Sequence, residues 1–329
     1  MRFLLINPPW EDAGILAETQ MPEETWLFDI GDISRLRIKD VMRINRVFVT
    51  HTHIDHFIGA DHLLRMNLFS ERPVYFYGPE GIAEQLGHKL QGYVWNLTED
   101  SKFTIICTEI GENRLTETVF PCSQKFIPLP AASRDFDGTF EIAGIKIRVA
   151  MLEHGAPCLG YCLETPVSAA INKKALHELG LEPGPWLAKL KNAALLPESD
   201  RPQAITDAKG TSHPAEEAIA KLITLKPGKR IAYITDTLFN KASVKSIRGL
   251  AQGCDELWCE ACYLNGSLEK ARSNYHMTAR QAARLALELK AEKLYLVHYS
   301  RRYKDMLMPH IEEARAIFPS TFEPELYKP

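Results

Sequence analysis

Six consecutive residues constrain this chain more than any other part of it. They read His51-Thr52-His53-Ile54-Asp55-His56, three imidazoles and a carboxylate, directly after the apolar run Val47-Phe48-Val49. A short apolar run of this kind reads as a buried strand. A strand that ends in such a pattern throws all four polar side chains into one loop at the edge of a sheet. Imidazole and carboxylate are the ligands that borderline divalent ions such as zinc prefer. Alternate residues of one loop can face two ions. The chain has 11 histidines in 329 residues, so three within six positions are improbable as surface noise.

The arrangement recurs along the chain. A run from Ile147 to Leu152 leads to His154, Arg230-Ile-Ala-Tyr-Ile-Thr leads to Asp236, and Leu294-Tyr-Leu-Val leads to His298. Four strand ends that each deliver a His or an Asp form a constellation, and a shared metal site is the reading that unites them.

Bulk composition sets the frame. The chain is 45% hydrophobic and 25% charged, ordinary for a globular protein. A net charge of −3 excludes a global basic field, so any polyanion must be met by a local patch. No apolar stretch reaches the roughly 18 to 20 residues of a membrane span, and no membrane partner is expected. The opening Met1-Arg-Phe-Leu-Leu-Ile is too short for a signal peptide and reads as a first strand. Seven cysteines, an odd number spread widely, do not form a disulfide framework. Cys259-Glu-Ala-Cys262 has redox or zinc-knuckle spacing, but without a second pair it reads as buried thiols. A reducing, cytoplasmic setting follows.

Residues 26–30, 46–50 and 73–77 read as strands, 57–67 as a helix, and a further helix is expected to carry Pro79 in its first turn. Residues 102–152 are rich in strand signals, with a long strand or hairpin around Gly144. Residues 165–228 are poor in strand pattern and rich in Pro, Lys and Ala, with Pro183-Gly184-Pro185 inside. A segment of that length is either functional or disordered. Thr278 to Leu289 is an amphipathic helix.

His51-x-His53-x-Asp55-His56, followed in order by His154, Asp236 and His298, resembles the metallo-β-lactamase superfamily. More narrowly, four segments are similar to ribonuclease Z, the tRNA 3′-processing endonuclease. These are Glu153-His154-Gly-Ala-Pro157, the Gly-Pro turn within Lys174–Lys191, Glu260 with His276-Met-Thr278, and Val297-His298-Tyr-Ser300-Arg-Arg-Tyr303. Ile54 stands where that family usually has Gly, and Thr235 where Gly usually precedes the Asp. The resemblance implies an α/β four-layer αβ/βα sandwich as a single domain over 1–329, with an inserted substrate-binding arm at 165–228. It implies two divalent ions, zinc before manganese or iron. One would be held by His51, His53 and His154, the other by Asp55, His56 and His298, with Asp236 bridging. Asp55, His276 and Glu260 would be catalytic: Asp55 orienting the attacking water, His276 protonating the leaving oxygen, Glu260 fixing its tautomer. Asp29 would brace the loop from behind. Lys173, Lys174, Lys189 and Lys191 of the arm would meet phosphates. A tRNA precursor or a small phosphodiester would be the substrate and a homodimer the assembly. A small-molecule metallo-hydrolase on the same scaffold stands as the alternative, and a non-catalytic binding subunit behind it.

Overall fold

The structure, a computed structural model, describes residues 1–19 and 24–329. They form two compact units, Met1–Leu163 with Arg230–Pro329, and Glu164–Lys229. Among the described residues no helix is long and apolar enough to cross a membrane.

The larger unit is built on two sheets. The first runs in sequence order through eight strands, from Arg2–Leu5 to Ala132–Asp135. The second has seven, ordered Thr321–Phe322, Lys293–Val297, Glu256–Glu260, Arg230–Ile234, Pro157–Glu164, Ile145–Glu153 and Thr139–Ile142. Side chains on a strand alternate between faces, and here both faces are buried. Trp26 and Phe28 enter one cluster while Leu27 enters another. Tyr233 and Trp258 join the first of these, while Ala232, Leu257 and Cys259 line a third. The shared cluster draws aromatic residues from both sheets, so the sheets pack face to face. The other two clusters pack each sheet against its own helices, among them Ala60–Asn67 and Ile82–Gln91 on one side and Lys241–Ala251 and Ala279–Leu289 on the other. This is the four-layer αβ/βα sandwich.

The strands that matter for the site are parallel. Ile44–Phe48 pairs parallel with both neighbours, and Arg230–Ile234, Glu256–Glu260 and Lys293–Val297 are parallel to one another. Their C-terminal ends therefore emerge on one side of each sheet. A hydrogen bond from the Leu159 N–H to the Thr50 carbonyl (2.9 Å), with the Tyr161 hydroxyl donating to the Val49 carbonyl (2.8 Å), stitches the two sheets together there.

Local expectations meet the structure unevenly. The hairpin around Gly144 forms, with Ile142 and Ile145 paired across it. Thr278 caps its helix by a reciprocal capping box with Gln281. Pro79 differs: it closes the strand Val74–Pro79, and the helix starts at Ile82 behind a left-handed Gly81 (φ 94°). Pairing of Pro79 with Ile110 holds it in the sheet. The smaller unit is neither disordered nor devoid of strands. It holds four short strands in two pairs and the helices Lys173–Glu178, Trp186–Leu195 and Ala215–Leu222. They close over a core that includes Leu176, Trp186, Leu190, Ile205 and Leu222. Strands of three or four residues are too short for alternation to register.

Candidate metal centre

The strand Ile44–Phe48 ends two residues before a buried Thr50, and His51 follows, fully buried. The chain does not continue as one loop. His53 is the N-cap of a single helical turn, Ile54–Phe57, so Asp55 and His56 are helical. Successive helical residues diverge by about 100°, so Asp55 and His56 leave the turn in different directions, and His56 packs its ring against that of His51 with centroids 4.2 Å apart. The helix presses on the loop after Asp29: a Cβ on Gly59 would strike the Gly31 carbonyl, and one on Gly31 the Asp55 carbonyl.

Seven side chains converge. His51 Nε2 lies 2.9 Å from His53 Nδ1, which is 3.3 Å from His154 Nε2. His56 Nε2 lies 3.0 Å from His298 Nε2, itself 3.4 Å from Asp55 Oδ2. Asp236 Oδ2 sits 3.5 Å from His51 Nε2, 3.5 Å from His56 Nε2 and 3.4 Å from His154 Nε2. Its other oxygen is 3.2 Å from His298 Nδ1. Two ligand sets result, His51/His53/His154/Asp236 and Asp55/His56/His298, each with one ligand atom per residue within 4.8 Å of the others. Imidazole nitrogens that face one another this closely around a carboxylate oxygen are the donor set of a borderline cation, so the residues present fit divalent metal.

A layer behind this ring sets tautomers. Asp29 is fully buried and accepts four hydrogen bonds, from the Thr50 N–H and hydroxyl, the Tyr233 hydroxyl (2.8 Å) and His56 Nδ1 (2.9 Å). His154 Nδ1 donates to the Tyr275 carbonyl at 3.1 Å. Both rings thus turn Nε2 inward. Asp29, Asp236 and His298 all have left-handed backbones, at φ 56°, 44° and 55°. Each sits just past a strand end, and the reversal swings its side chain across the edge. Non-glycine residues in this region cost of order 1–3 kcal/mol and cluster at functional sites.

Beside the ring, His276 Nδ1 donates to Glu260 Oε2 at 2.9 Å, and Glu260 Oε1 accepts from the Thr237 N–H at 2.6 Å. Glu260 is fully buried at the end of its strand, and the His276 ring centre is 5.2 Å from that of His154 and 5.6 Å from that of His298.

The field is strongly anionic at its centre. Burial opposes charge on His56, yet Asp236 and Asp29 override it and raise its pKa to about 10. His276 is likewise held charged against burial by Glu260 and Asp236, up to about 12. His51, buried and beside His56, is pushed down to about 2. Asp236 is buried, but the surrounding imidazoles hold it well below the usual carboxylate range. A field that keeps a proton on His56 favours a cation on the same lone pair.

Thr50, Tyr233, Thr237 and Tyr275 carry no sequence signal that marks them for this neighbourhood, and Cys262 carries only its Cys-x-x-Cys spacing. Tyr233 alternates into the core like its neighbours, and Tyr275 contributes a carbonyl, which any residue has. Of the remaining histidines, His310 is fully buried and far from surface-like.

A sandwich whose strand ends deliver this ligand set has known counterparts. The sequence profile described as "Beta-lactamase superfamily domain" matches residues 4–172 and 198–299. The metallo-β-lactamase fold protein YhfI from Bacillus subtilis superimposes with a TM-score of 0.56 at 14% identity, covering 98% of this chain and 94% of its own. Ribonuclease Z of Deinococcus radiodurans is 30% identical over 312 residues, 93% of this chain and 92% of that protein. Ribonuclease Z of Bacillus licheniformis is 31% identical over 304 residues, 90% of this chain and 85% of that protein. The chain belongs to the β-lactamase superfamily and, within it, to the ribonuclease Z family. It is a hydrolase of that family, and membership implies divalent metal, for which the His/Asp clusters described above offer ligands.

Proposed function

We propose that the chain is a dinuclear zinc endoribonuclease that cuts tRNA precursors at the 3′ end of the acceptor stem. The observation that carries this reading is the Asp236 carboxylate, whose two oxygens reach both ligand sets at once. In this assignment His51, His53 and His154 would hold one ion and Asp55, His56 and His298 the other, with Asp236 placed to serve both. Two such ions supply an activated water at neutral pH and a clamp on the phosphodiester oxygens.

The chain's own residues do the rest. Asp55, half-exposed beside His298, orients the attacking water. His276 gives a proton to the leaving 3′ oxygen from Nε2, because Nδ1 is committed to Glu260. Its charged form is the one that Glu260 and Asp236 stabilise, so the proton is held at His276 until the leaving oxygen takes it. Lys173, Lys174, Lys189 and Lys191 are all exposed on the Glu164–Lys229 unit and meet tRNA phosphates there. The name ribonuclease Z on both relatives supports the substrate class. Seven free, buried cysteines support a reducing cytoplasm, and a homodimer is the assembly proposed.

The test is cleavage of a tRNA precursor bearing a 3′ trailer, beside bis-p-nitrophenyl phosphate, with His276→Ala and Asp55→Ala as controls. Cutting at the end of the acceptor stem, lost in both variants, is the expected result. Hydrolysis of the small diester alone would move the substrate to a small molecule and overturn the RNA assignment.

A further inference from the structure

The two cysteines of Cys259-Glu-Ala-Cys262 have different surroundings. Cys259 lies inside its strand and packs into the apolar layer beneath the helices. Cys262 emerges past the strand end, nearly buried at 4% exposure, and faces the site. Glu260, Cys262, His276 and His298 each bring one ligand atom within 4.8 Å of the others. This set shares only His298 with the two sets around Asp236. A second observation concerns that shared ring. Its Nε2 faces His56 and Asp55, whereas its Nδ1 is buried and makes no hydrogen bond among the described residues, although Asp236 Oδ1 is 3.2 Å away. Nδ1 of His298 thus points away from the Asp55–His56 side, toward Asp236 Oδ1 and Cys262, and a ligand taken there replaces the Asp236 contact.

We propose that Glu260, Cys262, His276 and His298 form a third cation site that takes a thiophilic divalent ion, Cd2+ or surplus Zn2+. A thiolate, two imidazoles and a carboxylate make a four-ligand set of the tetrahedral kind, and the sulfur makes it softer than the nitrogen and oxygen sets beside it. On binding, the Cys262 thiol loses its proton to water, since a coordinated thiol is deprotonated. His298 would offer this ion Nδ1, and with Nε2 taken on its other side its ring proton would pass to water. An ion here disables His276 through either ring nitrogen. At Nε2 it covers the atom that donates the proton; at Nδ1 it displaces the hold of Glu260. The site is thus inhibitory, and that consequence rests on the role given to His276 above, whereas occupancy of the site does not.

The experiment is a Cd2+ titration of the full chain, read by metal analysis after equilibrium dialysis and by the ultraviolet charge-transfer band of a Cd–thiolate bond. Wild type, Cys262→Ser and Cys262→Ala are compared, with circular dichroism to establish that both variants are folded. The expected result is two equivalents bound without the band and a third with it. Both variants lose the band and the third equivalent and retain the first two. In the zinc-loaded enzyme, the ratio of activity at surplus Zn2+ to activity at two equivalents falls in wild type and stays near one in the variants. No thiolate band overturns the proposal, as does a band that survives in both variants. A band within the first two equivalents also overturns it, by placing Cys262 in the dinuclear centre. If wild type takes up the thiolate-bound ion but not two others, the dinuclear reading fails while the third site stands.

Discussion

Replacing His310 by Phe isolates one acid-sensitive element of the fold. His310 lies on the helix Leu307–Arg315, fully buried, its ring stacked on Tyr299 with centroids 3.9 Å apart and edge-on to Tyr303 at 4.6 Å. Neither ring nitrogen makes a hydrogen bond of good geometry among the described residues, the Met306 carbonyl being the one backbone acceptor that acts on the ring. Burial lowers its pKa from 6.5 to about 4, with the Met306 carbonyl opposing only in part. The folded state therefore binds the proton later than the unfolded chain does as pH falls. The stability that the neutral ring carries is complete above pH 6.5, declines between 6.5 and 4, and is gone below. Each pKa unit is worth 1.36 kcal/mol, so the loss across that window amounts to about 3 kcal/mol. Phe keeps the aromatic stack and strands no hydrogen bond, so His310→Phe is at least as stable as wild type at pH 7.5. Urea unfolding of both proteins, metal-free, at half-unit steps from pH 7.5 to 4 reads the difference. The titrations of all other groups cancel in it, and the variant gains about 3 kcal/mol on wild type over the series. Parallel curves would refute the argument that burial alone holds this ring neutral.

Three further perturbations test other parts of the structure. Glu260→Gln leaves His276 hydrogen-bonded but removes the charge that raises its pKa, so the alkaline limb of the pH–rate profile moves to lower pH; an unmoved limb would make Glu260 a purely structural acid. Changing Lys173, Lys174, Lys189 and Lys191 together to Ala weakens tRNA binding and flattens its salt dependence while hydrolysis of bis-p-nitrophenyl phosphate continues; an unchanged salt slope places the phosphate contacts elsewhere. Gly59→Ala forces a Cβ into the Gly31 carbonyl, and since backbone rather than a side chain must yield, a loss of about 1–3 kcal/mol in thermal or urea unfolding is expected.

Much of this architecture was legible because it follows from periodicity. Val47, Val49, Ile231 and Tyr233 sit in continuous apolar runs, and runs buried on both faces are what a parallel sheet between helices requires. The ligands were legible because they stand at the ends of those runs. What escaped is what depends on three dimensions. The turn Ile54–Phe57 is too short to announce itself, yet it sets the directions in which Asp55 and His56 leave the chain. Pro79 fits a helix start by propensity and a strand end by pairing, and the pairing decides. Tyr233 braces Asp29 with the one polar atom of a side chain otherwise indistinguishable from core. Cys262 reads as half of a cysteine pair and sits among imidazoles.

The left-handed backbones of Asp29, Asp236 and His298 bear on what these positions tolerate. Glycine would relieve the conformational penalty at each, and at Asp236 it would also remove an anion buried to 2% exposure. That gain is offset, because glycine at Asp29 would strand the four buried donors its carboxylate satisfies and at Asp236 would leave the surrounding imidazoles without their counter-charge. Two aspartates and a histidine thus stand where the main chain favours glycine, held there by what their side chains satisfy.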